Sequence, residues 1–268
     1  MKQIRLFAAL FIVALVVTSC ITWVNDEDGN TRGGKRLVKI TSGGDGDINL
    51  FYKDGKIVEI VDTYENLYIT YKGKIVTMEG MGEFILQLNN DGFVESGKLY
   101  FGDVYEFKFD YSNGYLAKCT CYSTTTNETT ITVNIKYDNN GNLLTASTSF
   151  IDDYPIREYK YEYTYTSSNY TSKGINVFFL EDCFGQHNGY PYSIFQLYYA
   201  GLLGKLPKKL VSKAEFKGDN SSYTDYCLSR TYDYKFDNDG YVSIVSKTEK
   251  HVNSVGSSYP FDVFFTYE

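Results

Sequence analysis

Several stretches of this chain alternate apolar and polar residues so strictly that antiparallel sheet is the fold they fit. Tyr105, Phe107, Phe109 and Tyr111 alternate with Glu106, Lys108 and Asp110. Tyr159, Tyr161, Tyr163 and Tyr165 alternate with Lys160, Glu162 and Thr164. Ile131, Val133, Ile135 and Tyr137 repeat the pattern, as do Tyr232, Tyr234 and Phe236. Successive side chains of a strand point to opposite faces, so a period of two with one apolar face marks a half-buried antiparallel strand. A slip of one residue near Phe107 would bury three charges and expose four rings.

Short polar turns separate these runs. Each carries a glycine, at Gly55, Gly73, Gly92, Gly114, Gly141 and Gly240, usually after Asn or Asp. Glycine supplies the positive φ that hairpin turns need, and Asn or Asp tolerates it best among the others. The first five are spaced by 18, 19, 22 and 27 residues, one hairpin per interval with strands lengthening along the chain. The expected fold is mainly β: an antiparallel meander of hairpins in one strongly curved or barrel-like sheet. A single domain over residues 37–268 accounts for all of it.

One stretch departs from the period of two. Ile194, Leu197, Tyr198, Gly201 and Leu202 follow Pro191 at helical spacing, which predicts a helix over about 191–203. Gly204 is the expected C-terminal cap, and Pro207 blocks continuation. The helix is expected to dock on an apolar face of the sheet, at one end or on its concave side.

The N-terminus carries an address. Lys2 and Arg5 precede an apolar run of 12 residues, Leu6 to Val17. Spanning a bilayer takes about 20 residues, so this run suits a secretory signal instead. Val17-Thr18-Ser19-Cys20 resembles the bacterial lipobox, which implies cleavage after residue 19 and lipid attachment at Cys20. Each buried CH₂ adds about 0.8 kcal/mol, so two or three acyl chains hold a protein at a membrane firmly. Residues 20–36 read as a flexible lipidated tether. Its acidic cluster Asp26-Glu27-Asp28 resembles the surface-export signal of Bacteroidetes lipoproteins; a solvated acidic linker accounts for it equally well.

Charge and cysteine usage narrow the function classes. The chain carries a formal charge of −7. Residues 1–19 hold two cations and no acids, so the remainder sits at −7 − 2 = −9. Such a surface is repelled by phosphate backbones, and no nucleic-acid partner is expected. Lys205, Lys208, Lys209 and Lys213 form a local basic cluster, expected to be a solvated helix end. With Cys20 committed to lipid, Cys119, Cys121, Cys183 and Cys227 remain. Cys119 and Cys121 diverge from one strand, which leaves Cys183 with Cys227 as the possible disulfide. No recognised zinc spacing joins the cysteines to His187 and His251. Asp237-Asn238-Asp239-Gly240 looks like part of a calcium loop, but no acid follows at the required distance, and a turn explains it. No metal and no cofactor is expected.

The copies Tyr137-Asp138-Asn139-Asn140-Gly141-Asn142-Leu143 and Phe236-Asp237-Asn238-Asp239-Gly240-Tyr241-Val242 resemble the YD repeats of large bacterial surface and toxin-shell proteins. Taken with the lipobox, the Tyr-rich hairpins and the stretch Tyr199-Ala200-Gly201-Leu202-Leu203-Gly204-Lys205-Leu206-Pro207, the chain also resembles an uncharacterised Bacteroidetes lipoprotein family described as porin-like. That resemblance implies an outer-membrane lipoprotein and brings no catalytic residues.

Enzyme signatures are absent: no Gly-x-Ser-x-Gly, no phosphate loop and no His-Glu-x-x-His occurs. The chain therefore reads as a lipid-anchored, non-catalytic binding or structural module. Its membrane partner is the bilayer, reached through Cys20. Two alternatives stand beside that reading. One is a carbohydrate- or peptide-binding lipoprotein that uses a Tyr-rich sheet face. The other is a membrane-embedded β-barrel, whose strands would need an apolar lipid-facing band about 25 Å tall.

Overall fold

Each alternating run forms a strand, and every strand pairs antiparallel with its neighbour in sequence. The computed structural model describes residues 35–42, 46–63, 66–80, 82–150, 157–165, 193–216, 227–251 and 258–268. The described strands are β1 (Leu37–Ser42), β2 (Gly46–Lys53), β3 (Lys56–Val61), β4 (Asn66–Lys72), β5 (Ile75–Glu79), β6 (Glu83–Leu88), β7 (Val94–Phe101) and β8 (Asp103–Ser112). They continue as β9 (Tyr115–Ser123), β10 (Glu128–Tyr137), β11 (Leu143–Phe150) and β12 (Arg157–Tyr165). After a helix, α1 (Ser193–Tyr199), come β13 (Val211–Phe216), β14 (Cys227–Phe236), β15 (Val242–His251) and β16 (Ser258–Tyr267). β1 pairs with β16, so the meander closes into a barrel with no free edge.

All six turn glycines have positive φ. The connections β2–β3, β4–β5, β6–β7, β8–β9, β10–β11 and β14–β15 hold one each. In an up-and-down barrel those connections share one end, so the glycine spacing counts every second turn. Three of these turns use one bond set. Asn89, Asp138 and Asp237 each accept backbone N–H groups two and four residues on. In each the glycine N–H bonds back to the carbonyl of that first residue. Side-chain acceptors thereby replace the ladder where it ends.

The barrel wall is apolar inside. Phe107, Phe109, Ile131, Val133, Ile135, Tyr163 and Tyr232 are buried, while Lys108, Asn134, Lys136, Lys160, Glu162 and Asp233 are exposed. Gly97 makes one close approach possible: a Cβ there would lie 2.7 Å from the side chains of Phe84 and Leu86. The gap on β7 lets Phe84 of β6 reach Phe107 of β8, with ring centroids 5.1 Å apart.

Tyrosine is used where bulges free backbone acceptors. Register shifts fall at Leu37/Lys39, opposite Ile57 and Val94, and opposite Val211. The carbonyls of Leu37, Ile57, Val94 and Val211 accept hydrogen bonds from the hydroxyls of Tyr52, Tyr71, Tyr111 and Tyr234. A leucine would fill the same volume and leave a buried carbonyl without a partner.

Helix α1 occupies the barrel interior. Gln196, Leu197, Tyr198 and Tyr199 are all buried. At 3.6 residues per turn, four consecutive residues leave no side of a helix open. Gln196 Nε2 donates to Asp62 Oδ2 (3.2 Å), just past the end of β3. Six residues on, the Leu202 carbonyl accepts from Val94 N–H (2.8 Å) at the opposite, glycine-turn end. The helix thus docks on the apolar concave side, as the sequence predicts.

Two expectations about this segment need correction. The helix stops at Gly201 and not at Gly204. Leu202 N–H bonds to the Leu197 carbonyl and Gly201 N–H to the Tyr198 carbonyl, with Gly201 at φ 83°. This is the Schellman arrangement, and it ends the helix three residues early. Gly204, at φ 87°, serves a separate contact. A Cβ there would sit 2.6 Å from the Gly114 carbonyl oxygen. Its absence lets residues 204–208 cross the barrel end, where Lys205 and Lys208 N–H bond to the carbonyls of Gly114 and Gly141. The basic cluster is therefore no helix end. Lys205 lies over the Tyr115 ring, and Lys213 on β13 pairs with Glu215.

Candidate functional site

The two faces of the wall offer different chemistry, and each has one region that departs from the rule of apolar inside, polar outside. Inside, the exception lies on β14 and β15. Arg230, Tyr232 and Tyr234 share the inward face with Glu249, Lys247 and Val245, their directly paired neighbours. Arg230 Nε bonds to Glu249 Oε1 at 2.8 Å, and Lys247 Nζ reaches the same oxygen at 2.9 Å. The three side chains are only 13%, 7% and 16% exposed for Arg230, Lys247 and Glu249. Lys247 also lies 4.4 Å from the centroid of the Phe261 ring. Tyr161 and Phe216, paired across β12 and β13, lie on the same face. The trio is thus a largely buried charged cluster within an aromatic wall, close to the barrel end opposite the glycine turns.

Outside, five carboxylates are paired with a lysine. The pairs are Lys39–Asp47, Lys98–Glu106, Lys108–Asp110, Lys160–Glu162 and Lys213–Glu215. The wall of β2–β7 differs. Phe51, Glu59, Tyr68, Glu79, Glu83 and Tyr100 are successive partners across six strands, a single line in register. Its three rings are 49%, 51% and 42% exposed for Phe51, Tyr68 and Tyr100. A shallow, open depression lies elsewhere on the wall, lined by Glu95, Ser96, Lys108 and Asp110.

The residues singled out from sequence fall in several places. The alternating rings of β8 and β14 are core, which removes Phe107, Phe109 and Tyr232 from any open platform. Asp237 has no oxygen left for a cation: Oδ1 accepts two backbone N–H groups and Oδ2 holds Lys35. Cys119 and Cys121 point inward and are free thiols. Cys20, Cys183, His187 and the side chains of Cys227 and His251 lie outside the described residues. The exposed rings Phe51, Tyr68 and Tyr100 carry no signal in the sequence, because each lies between apolar residues, on a different strand, and reads as part of an apolar run.

Burial sets how the wall responds to alkali. It pushes the Cys121 thiol from 9.0 up to about 11, and the Cys119 thiol further. The same cause pushes the Tyr52 and Tyr165 phenols from 10.0 up to about 12. Raised values mean that the folded state holds these protons after the unfolded chain has released them. The associated stability is complete below pH 9 and is lost as pH rises to about 12. Urea midpoints should accordingly hold up to pH 9 and fall above it. A midpoint that stays level to pH 12 would contradict this.

No protein-family model matches the chain, and no curated protein matches its sequence. Solved structures do resemble it. A porin-like protein from Bacteroides uniformis superposes with a TM-score of 0.69 at 18% identity, over 88% of this chain and 97% of that one. A porin-like protein from Bacteroides vulgatus gives 0.63 at 14% identity, over 87% and 99%. At such identities the likeness shows the fold: this chain has the porin-like barrel that its sequence resemblance implied.

Proposed function

We propose that this protein is a lipid-anchored, non-catalytic binding module of the bacterial outer membrane, with its barrel standing in water. The observation that carries this reading is the polarity of the wall. Charged side chains occupy the outer face on strands from β1 to β16, among them Lys39, Glu106, Lys136, Lys160, Asp233 and Asp262. A single Lys or Arg at the bilayer midplane costs a membrane barrel about 2–4 kcal/mol. A lipid-embedded barrel has its apolar face outward and its polar face around a channel. Here the order is reversed, and α1 lies within the lumen. The closed barrel of the third sequence reading is present, while its wall chemistry favours water over lipid as its surroundings.

The geometry of the termini fits a tether. Arg36 and Glu268 exchange backbone hydrogen bonds at the glycine-turn end. Lys35 is clamped there by Asp237 and Asp239 of the β14–β15 turn (2.8 and 2.6 Å). A lipid on Cys20 would lie up to about 55 Å from Arg36 along a fully extended chain. The tether thus joins the barrel at its glycine-turn end. The exposed rings on β2–β7 favour a ligand-binding role, for a carbohydrate or a peptide, over a purely structural one.

Cys20→Ala tests the anchor and the wall together. Labelled palmitate should no longer be incorporated, and the folded protein should move from the membrane fraction to the soluble one. Label uptake by the variant would overturn the lipid assignment. A label-free variant that resists alkaline extraction from membranes would overturn the water-facing barrel.

A further inference from the structure

We propose that the outer wall of β2–β7 binds a lysine- or arginine-rich polypeptide segment laid across the strands. Its contacts are the rings Phe51, Tyr68 and Tyr100 and the carboxylates Glu59, Glu79 and Glu83. The proposal rests on the reading of the barrel as a water-facing binding module and names the partner of that module.

Register supplies the first argument. Rings and acids share one cross-strand line: Phe51 opposite Glu59, Glu59 opposite Tyr68, Tyr68 opposite Glu79, Glu79 opposite Glu83 and Glu83 opposite Tyr100. At the usual strand spacing the line runs about 24 Å from β2 to β7, room for about seven residues of extended chain. Six strands of one continuous sheet fix the relative positions of these groups.

Charge supplies the second. Among the described residues no Lys or Arg pairs with Glu59, Glu79 or Glu83, whereas five carboxylates elsewhere on the wall are matched to lysines. Glu79 and Glu83 face each other directly across β5 and β6, an arrangement of like charges that opposes folding. Replacing either by lysine would relieve it. A bound cation relieves it too, and the neighbouring rings attract the same cation through their faces. Exposed rings and unneutralised acids thus converge on one ligand chemistry.

Competing ligands fit less well. Calcium takes six to eight oxygens, and the single adjacent pair Glu79 and Glu83 offers four. Nucleic acid is repelled by the same carboxylates. A neutral glycan would use the rings and gain nothing from uncompensated charge.

The test uses the whole protein, with a fluorescein-labelled octapeptide of alternating Lys and Arg as probe, read by anisotropy. Binding is expected at low ionic strength and should weaken as salt rises. Glu79→Gln with Glu83→Gln should lose about tenfold in affinity, equivalent to about 1.4 kcal/mol. Tyr68→Ala should weaken binding as well, and Asp262→Asn, an exposed acid on β16, should leave it unchanged. The melting temperature of the double Gln variant should hold or rise, because a repulsion is removed. No binding by the probe overturns the proposal, as does binding that the double Gln variant retains. Equal losses in Asp262→Asn would mean general charge attraction and also overturn it. So would a neutral β-glucan oligosaccharide that binds independently of salt and of both glutamates, and is lost in Tyr68→Ala. Failure of the water-facing reading is separate: it appears as membrane retention of Cys20→Ala, with no peptide present.

Discussion

Phe107→Asp should unfold the barrel or come close to it, while Lys108→Asp next to it should change stability by no more than about 0.5 kcal/mol. Phe107 is buried against Phe84 and Phe109, with ring centroids 5.1 and 6.3 Å away. Truncating such a ring costs about 3–5 kcal/mol before any charge is buried. An aspartate there adds the cost of a carboxylate with no partner on an apolar wall. Single domains have about 5–15 kcal/mol in total, so the variant should lose cooperative unfolding or much of its urea midpoint. Lys108 points outward and pairs with surface Asp110 at 3.3 Å. Small, equal effects from both variants would mean that the Phe107 face is open to water.

Glu249→Gln should cost about 3 kcal/mol although it changes only one atom type, because it removes the negative charge that two largely buried cations share. Arg230 and Lys247 both bond to Glu249 Oε1. The amide oxygen of glutamine still accepts a hydrogen bond, but the charge that offsets both cations is gone. The simultaneous replacement Arg230→Met, Lys247→Met and Glu249→Leu should recover most of the loss, since apolar side chains of similar volume often match or exceed a buried ion cluster. Urea denaturation of both variants checks this. A fully stable Glu249→Gln variant would mean that water reaches the trio and screens it.

Much of the barrel was legible because its inner wall is locally encoded. Phe107 with Phe109, and Val133 with Ile135, carry their facing in the alternation itself, and the six turn glycines mark one end of the barrel. The strand count was not legible. Turns at the other end, such as Gly102 between β7 and β8 or Thr124–Asn127 between β9 and β10, share no repeated signature. The stop of α1 was misplaced because Gly201 and Gly204 both suit a cap; only the bonds from Leu202 and Gly201 back into the helix separate them.

The candidate sites were hidden for two different reasons. On β15, Lys247 and Glu249 read as outward residues by type, and only their register with Tyr232 and Arg230 turns them inward. The row on β2–β7 draws one residue from each strand, so its members lie far apart in sequence. No periodicity within a single strand reveals a line that runs across six. Local patterning thus gives the face of a residue, and pairing gives its neighbours.

The central claim is that this barrel is apolar within and wet without. The most direct measurement is amine labelling of the whole protein in its own membrane by a water-soluble reagent, read by mass spectrometry. Lys98, Lys108, Lys136 and Lys160 stand exposed on the outer wall, and Lys247 points into the lumen. The four outer lysines should be modified together and early, with Lys247 protected until the protein unfolds. Protection of those four with rapid modification of Lys247 would describe a lipid-embedded wall around a water-filled pore, and would contradict the account.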